Sequence, residues 1–149
     1  MLCRCCCFPH PAYFPRFSKD GRPSVFSVSY GWQGPLSQLG CTDAQVKAVD
    51  ANFAKAGSVG TTIIFASGDS GAQYMNNQLW PSWPASSQHV TAVGATGFEG
   101  ATASGPESAV TQFGSGGGFS WTIARAGFQD ATITKYLMDA AGSLPPKNM

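Results

Sequence analysis

The stretch Phe65-Ala66-Ser67-Gly68-Asp69-Ser70-Gly71 sets one carboxyl group between two glycines. An apolar run, Thr61 to Ala66, stops abruptly in front of it. Glycine lets another backbone approach closely. A carboxyl group held at such a strand end can therefore act on a ligand lying against the turn. The structural alternative is an Asx-turn, in which the Asp69 side chain caps nearby backbone amides. A second glycine-bounded end, Ser29-Tyr30-Gly31, closes the β-rich run that begins at Val25. In open parallel sheets functional groups gather at the carboxyl ends of the strands. A bare strand end can also pair with an extended peptide through main-chain hydrogen bonds. Ser29, Tyr30, Gly31, Ser67 and Gly68 are thus candidates to line a peptide groove, with Asp69 at its edge.

The elements that would position these residues can be read from period and punctuation. Val25 to Tyr30 alternates and is β-rich, so a strand is predicted, ended by Gly31 and Gly34-Pro35. Thr42-Asp43-Ala44-Gln45 has the form of a capping box with an acid in the first turn. Val46, Val49 and Phe53 follow at helical spacing, and Gly57 and Gly60 are expected to stop the helix. A strand over Thr61–Ala66 follows at once. Strand, helix and continuous apolar strand make a βαβ unit, and so a parallel sheet. Val90–Val93 reads as a further short strand, Ser115–Ser120 as a glycine-rich turn, and Phe128–Ala140 as a last helix with Ile133, Tyr136, Leu137 and Ala140 on one side. Residues 1–23 hold four prolines, four clustered cysteines and four of the nine basic residues. They read as a non-globular leader.

Composition and motif spacing exclude several classes. A near-balanced charge, net +1, argues against a nucleic-acid binder. No apolar stretch approaches the roughly 18–20 residues of a membrane span. Cys3, Cys5, Cys6 and Cys7 crowd one end and Cys41 stands apart, which is not the spread of a disulfide framework. Nor do they form the spaced pairs of a zinc site. No serine has the flanking glycines of a nucleophile elbow, and no phosphate-binding Gly-Lys-Ser/Thr occurs. His89 has no evident partner that would make it a base, and reads as a loop or satisfied core histidine. Trp80-Pro81-Ser82-Trp83-Pro84 reads either as an aromatic recognition patch or as a stiff packed loop.

Five segments in order then carry a family resemblance. They are Val25–Gly31, Phe65–Gly71, Trp83-Pro84-Ala85-Ser86-Ser87, Val90–Gly94 and Ser115–Ser120. Together with Phe128 to Pro146, they resemble the sedolisins, the serine-carboxyl peptidases. The resemblance covers residues 24–146, the central part of a peptidase domain, and leaves 147–149 as a tail. It implies an α/β, partial subtilisin-like fold with a mostly parallel sheet and flanking helices. It implies that Asp69 contributes to an oxyanion hole and that Ser29–Gly31 lines the substrate cleft beside it. An ionised carboxylate would repel a developing oxyanion, so such a donor works protonated, in acid.

Two further family motifs have no match. The nucleophile's Gly-Thr-Ser is absent from the 149 residues, and neither Glu99 nor Glu107 has an aspartate four residues on to form the Glu-x-x-x-Asp base pair. Calcium, expected for the full-length family, belongs near a missing C-terminal part, and no cofactor is expected in this chain. The expectation is a fragment of an acid-acting peptidase that is inactive alone, with peptide or protein as partner and neither nucleic acid nor membrane. The family's places are outside the cell or an acidic compartment, lysosome or vacuole. The alternatives are a non-catalytic peptide-binding fragment and a truncated gene product.

Overall fold

In the computed structural model the described residues are 23–101, 105–110 and 112–144. Three parallel strands form the main sheet, β1 (Val25–Val28), β2 (Thr62–Ala66) and β5 (Thr91–Val93), in the order β1-β2-β5. The register pairs Val28 with Phe65 and Ala66 with Val93, so the carboxyl ends of all three strands lie together. The βαβ unit is present as expected, with helix α1 (Asp43–Ser58) between β1 and β2. Two small antiparallel pairs, β3 (Tyr74–Met75) with β4 (Gln78–Leu79) and β6 (Thr96–Phe98) with β7 (Glu107–Ala109), complete the strands among the described residues.

Helix α1 begins where its capping box places it. The Gln45 amide donates to Thr42 Oγ1 at 3.3 Å, and the Thr42 amide donates to Gln45 Oε1 at 2.9 Å. Its buried stripe is Val46, Asp50, Phe53 and Ala56. That stripe meets the sheet, where Ile63 and Phe65 are buried. Phe53 anchors the contact, edge-on to Phe65 at 5.7 Å and tilted against Trp83 at 6.2 Å. Burying a side chain of this size contributes on the order of 2–3 kcal/mol. The helix does not stop at Gly57, which lies inside it. It ends after Ser58, and Gly60, at φ +81°, turns the chain into β2.

Three sequence expectations change. β1 ends at Val28, because Trp32 exchanges backbone hydrogen bonds with Trp83 at 2.8 and 2.9 Å and draws Ser29–Gly31 off the ladder. The last helix is a 3-10 turn, Gly127–Gln129, followed by α2 (Asp130–Asp139), and none of its residues is buried. Ile133 is half-covered, but Tyr136 and Leu137 stay exposed. Cys41 is disulfide-bonded, which the lopsided cysteine spacing did not anticipate. The cysteine-rich leader and the Pro145-Pro146 tail also lie outside them.

Candidate functional site at the carboxyl end of the sheet

The chain leaves β2 at Ala66 and enters a turn that glycine makes possible. Gly68 has φ +97° and Gly71 φ +58°, which side chains other than glycine's rarely adopt. The turn is held from three sides. The Ser67 amide donates to the Val93 carbonyl at 3.0 Å, tying it to β5. The Gly114 amide donates to the Asp69 carbonyl at 3.1 Å, Gly71 to Gly114 at 2.7 Å, and Gly116 to Gly68 at 2.8 Å. Gln33 supplies the third side. Its Nε2 donates to the Gly71 carbonyl at 2.7 Å and its Oε1 accepts from the Ser70 amide at 3.1 Å.

The glycine-rich segment is therefore a wall of the site rather than only a turn. It lies so close to Ser67–Gly71 that a Cβ on Gly116 would sit 1.8 Å from the Ser67 carbonyl oxygen, and one on Gly114 2.6 Å from the Gly71 nitrogen. Ser115 fastens the same segment to the end of β5, its hydroxyl accepting from the Ala95 amide at 2.9 Å. The sequence signal was present in the run of glycines, but nothing in it named the turn it packs against. Gln33 carried no signal at all, since its role depends on a contact 37 and 38 positions along the chain.

Asp69 is exposed, and its carboxylate makes no hydrogen bond or ion pair among the described residues. The Asx-turn alternative is thereby without its defining bond. The turn is fixed by backbone amides and by Gln33, and the carboxyl group is left over. Ser67 and Gly68 are half-buried beneath it. Ser29, Tyr30 and Gly31 follow the neighbouring strand, with the Tyr30 ring exposed. Gly31 has a structural reason of its own: a Cβ there would lie 2.3 Å from Ser82 Oγ and 3.1 Å from the Trp83 carbonyl. The absence of a side chain at Gly31 thus makes room for Ser82 and the Trp32–Trp83 bridge.

The remaining candidates resolve locally. His89 stands 3.7 Å from Asp50 Oδ2, and the other carboxylate oxygen of Asp50 accepts from Ser87 Oγ. The carboxylate thus sits between hydroxyl and imidazole, which gives a structural tie rather than a nucleophile with its base. Trp83 and Pro84 are buried, so that loop is packed against the core. Among the described residues no group of three or more His, Cys, Asp or Glu could hold a metal ion. No helix among them is long and apolar enough to cross a membrane.

Comparison with known proteins follows the same lines. No family model matches the chain. It is 37% identical over 135 residues to tripeptidyl-peptidase 1 of Bos taurus, and 36% identical over 135 residues to tripeptidyl-peptidase 1 of Homo sapiens. Each alignment covers 88% of this chain and 23% of the relative, so the chain spans under a quarter of the length of these relatives. Its fold is similar to that of Pseudomonas sedolisin, a serine-carboxyl proteinase solved with two molecules of pseudo-iodotyrostatin. That match has a TM-score of 0.56 at 28% identity, over 76% of this chain and 35% of the other. By sequence and by fold, the chain belongs to the sedolisin family of serine-carboxyl peptidases.

Proposed function

We propose that residues 24–146 supply the oxyanion side and part of the substrate cleft of an acid-acting peptidase. Asp69 donates a hydrogen bond to the oxygen of the scissile carbonyl, and Ser29, Tyr30, Gly31, Ser67 and Gly68 line the path of the peptide. The observation that carries this reading is the Asp69 carboxyl group, without a partner among the described residues, on a turn held rigid by other groups. A carboxyl group donates only when protonated, so this chemistry belongs in acid and in an acidic compartment or outside the cell. Covalent catalysis also needs a nucleophile and its base. The 149 residues contain neither Gly-Thr-Ser nor Glu-x-x-x-Asp, so this polypeptide alone binds peptide without cleaving it. Calcium, expected of the full-length family, is assigned to no residue here.

The test uses the purified 149-residue chain with an unblocked peptide in acid, following binding by calorimetry and products by mass spectrometry. Saturable binding weakened by Tyr30→Ala, with no cleaved product, is expected. Cleavage that disappears in Asp69→Ala would overturn the inactivity and retain the role of Asp69. In a longer polypeptide that also carries the two absent motifs, Asp69→Ala should lower kcat by roughly 10²–10³. An unchanged kcat there would remove Asp69 from the oxyanion hole.

A further inference from the structure

A cavity of about 270 Å³ lies between the loop that follows β1 and the Trp80–Trp83 loop. Pro35, Leu36, Trp80, Trp83 and Trp121 give it apolar and aromatic walls, and among the described residues Asp43 is the one charged residue lining it. The two outer indoles are fixed in direction. Trp80 Nε1 donates to the Met75 carbonyl at 3.0 Å, and Trp121 Nε1 donates to the Leu79 carbonyl at 2.8 Å, both on the β3–β4 hairpin. Their rings stand 6.4 Å apart, inclined at 54°. With their N–H groups already bonded, these rings can offer a ligand only their faces and edges. An aromatic face carries a negative quadrupole and attracts a cation.

Asp43 adds an acidic side chain to the wall. Thr42 and Gln45 form the cap of α1, and Asp43, in its first turn, suits the helix dipole without being one of the capping groups. Its carboxylate has no hydrogen-bond or ion-pair partner among the described residues. Among the described residues no Lys, Arg or His lines the cavity to neutralise it or to welcome an anion. The volume falls below the roughly 300–1,000 Å³ of a pocket for a drug-sized ligand, which is the scale of one side chain.

We infer that this cavity is a subsite for an organic cation, the ammonium or guanidinium side chain of a basic residue in a bound peptide. The inference rests on the peptide-binding reading above and gives it a side-chain preference. Two blocked peptides, identical except for arginine in one and uncharged citrulline in the other, form the probe. Titrated by calorimetry at neutral pH, where surface carboxylates are ionised, against the 149-residue chain, the arginine peptide should bind at least about threefold tighter. Asp43→Asn, which keeps the Thr42–Gln45 cap, and Trp121→Leu should each shrink that ratio toward one, and so should added salt. Melting curves of both variants confirm that they remain folded.

Equal binding of the two peptides, or an undiminished preference in folded Asp43→Asn, overturns the subsite. Tyr30→Ala separates this failure from failure of the groove itself. If both peptides lose affinity in Tyr30→Ala but show no preference, the groove stands and the subsite falls. If the preference persists while Tyr30→Ala changes nothing, the subsite stands and the groove reading falls.

Discussion

At the residue scale, the candidate site is set by where a side chain is missing. Gly116 and Gly71 are both glycines of the site, yet they are glycine for different reasons. Gly71 sits at φ +58° with nothing within 4 Å of its absent Cβ. Gly71→Ala therefore meets only the left-handed backbone cost, about 1–2 kcal/mol. Gly116→Ala drives a methyl group into the Ser67 carbonyl, a backbone atom that cannot rotate away. The glycine-rich wall must then leave the Asp69 turn, at a cost of about 3 kcal/mol. Paired denaturant melts should show the larger loss for Gly116→Ala, and amide exchange should quicken at Gly68 and Gly71 in that variant. Equal losses would mean that the wall does not brace the turn. The turn that carries Asp69 was legible because strand end, acid and glycines are adjacent in sequence. Gln33 was not, because a glutamine after a strand has no local signature and acquires its meaning only when the turn folds against it.

At the scale of elements, legibility followed the length of the periodic signal. β1, α1, β2 and β5 were readable, since alternation, a capping box and an apolar run each specify one structure over several residues. The β3–β4 hairpin was missed, although Asn76 and Asn77, at φ +55° and +59°, form the kind of two-residue turn that hairpins favour. Its two-residue strands are too short to show alternation. β6–β7 was missed because its partners are separated by a long connection. What joins the readable elements is a buried polar tie that periodicity would not place. Asp50 lies on the inner stripe of α1 and holds the Ser87 hydroxyl, while Ser87 Oγ accepts from the His89 amide at 3.1 Å. Asp50→Ala leaves the hydroxyl and the imidazole without this acceptor inside the α1 contact, at a cost of about 1–3 kcal/mol. Asp50→Asn keeps an acceptor oxygen for Ser87 and should recover most of that loss. Thermal melts of the two variants decide it, and equal destabilisation would show that shape rather than the acceptor matters at this position.

At the scale of the whole molecule, apolar surface is poorly covered. The main sheet has three strands among the described residues, so β1 and β5 each present an unpaired edge. All of β5 is exposed, Val93 by 51%. Near and on α2, Phe128 is 81% and Met138 72% exposed. Open strand edges and contiguous apolar patches promote association between chains. A net charge of +1 supplies little repulsion against it. The 149-residue chain should therefore associate reversibly as concentration rises, with sedimentation velocity showing a growing mean mass over a dilution series. Two variants separate the causes. Val93→Lys places a charge on the open strand and should suppress edge pairing. Phe128→Glu combined with Met138→Lys should suppress association through the helical face. Whichever variant restores the monomer identifies the surface responsible. A chain that stays monomeric at every concentration would show that these surfaces are too small or too divided to bind one another. The exposed Phe128 and Val93 would then have to be explained singly, as ordinary surface residues.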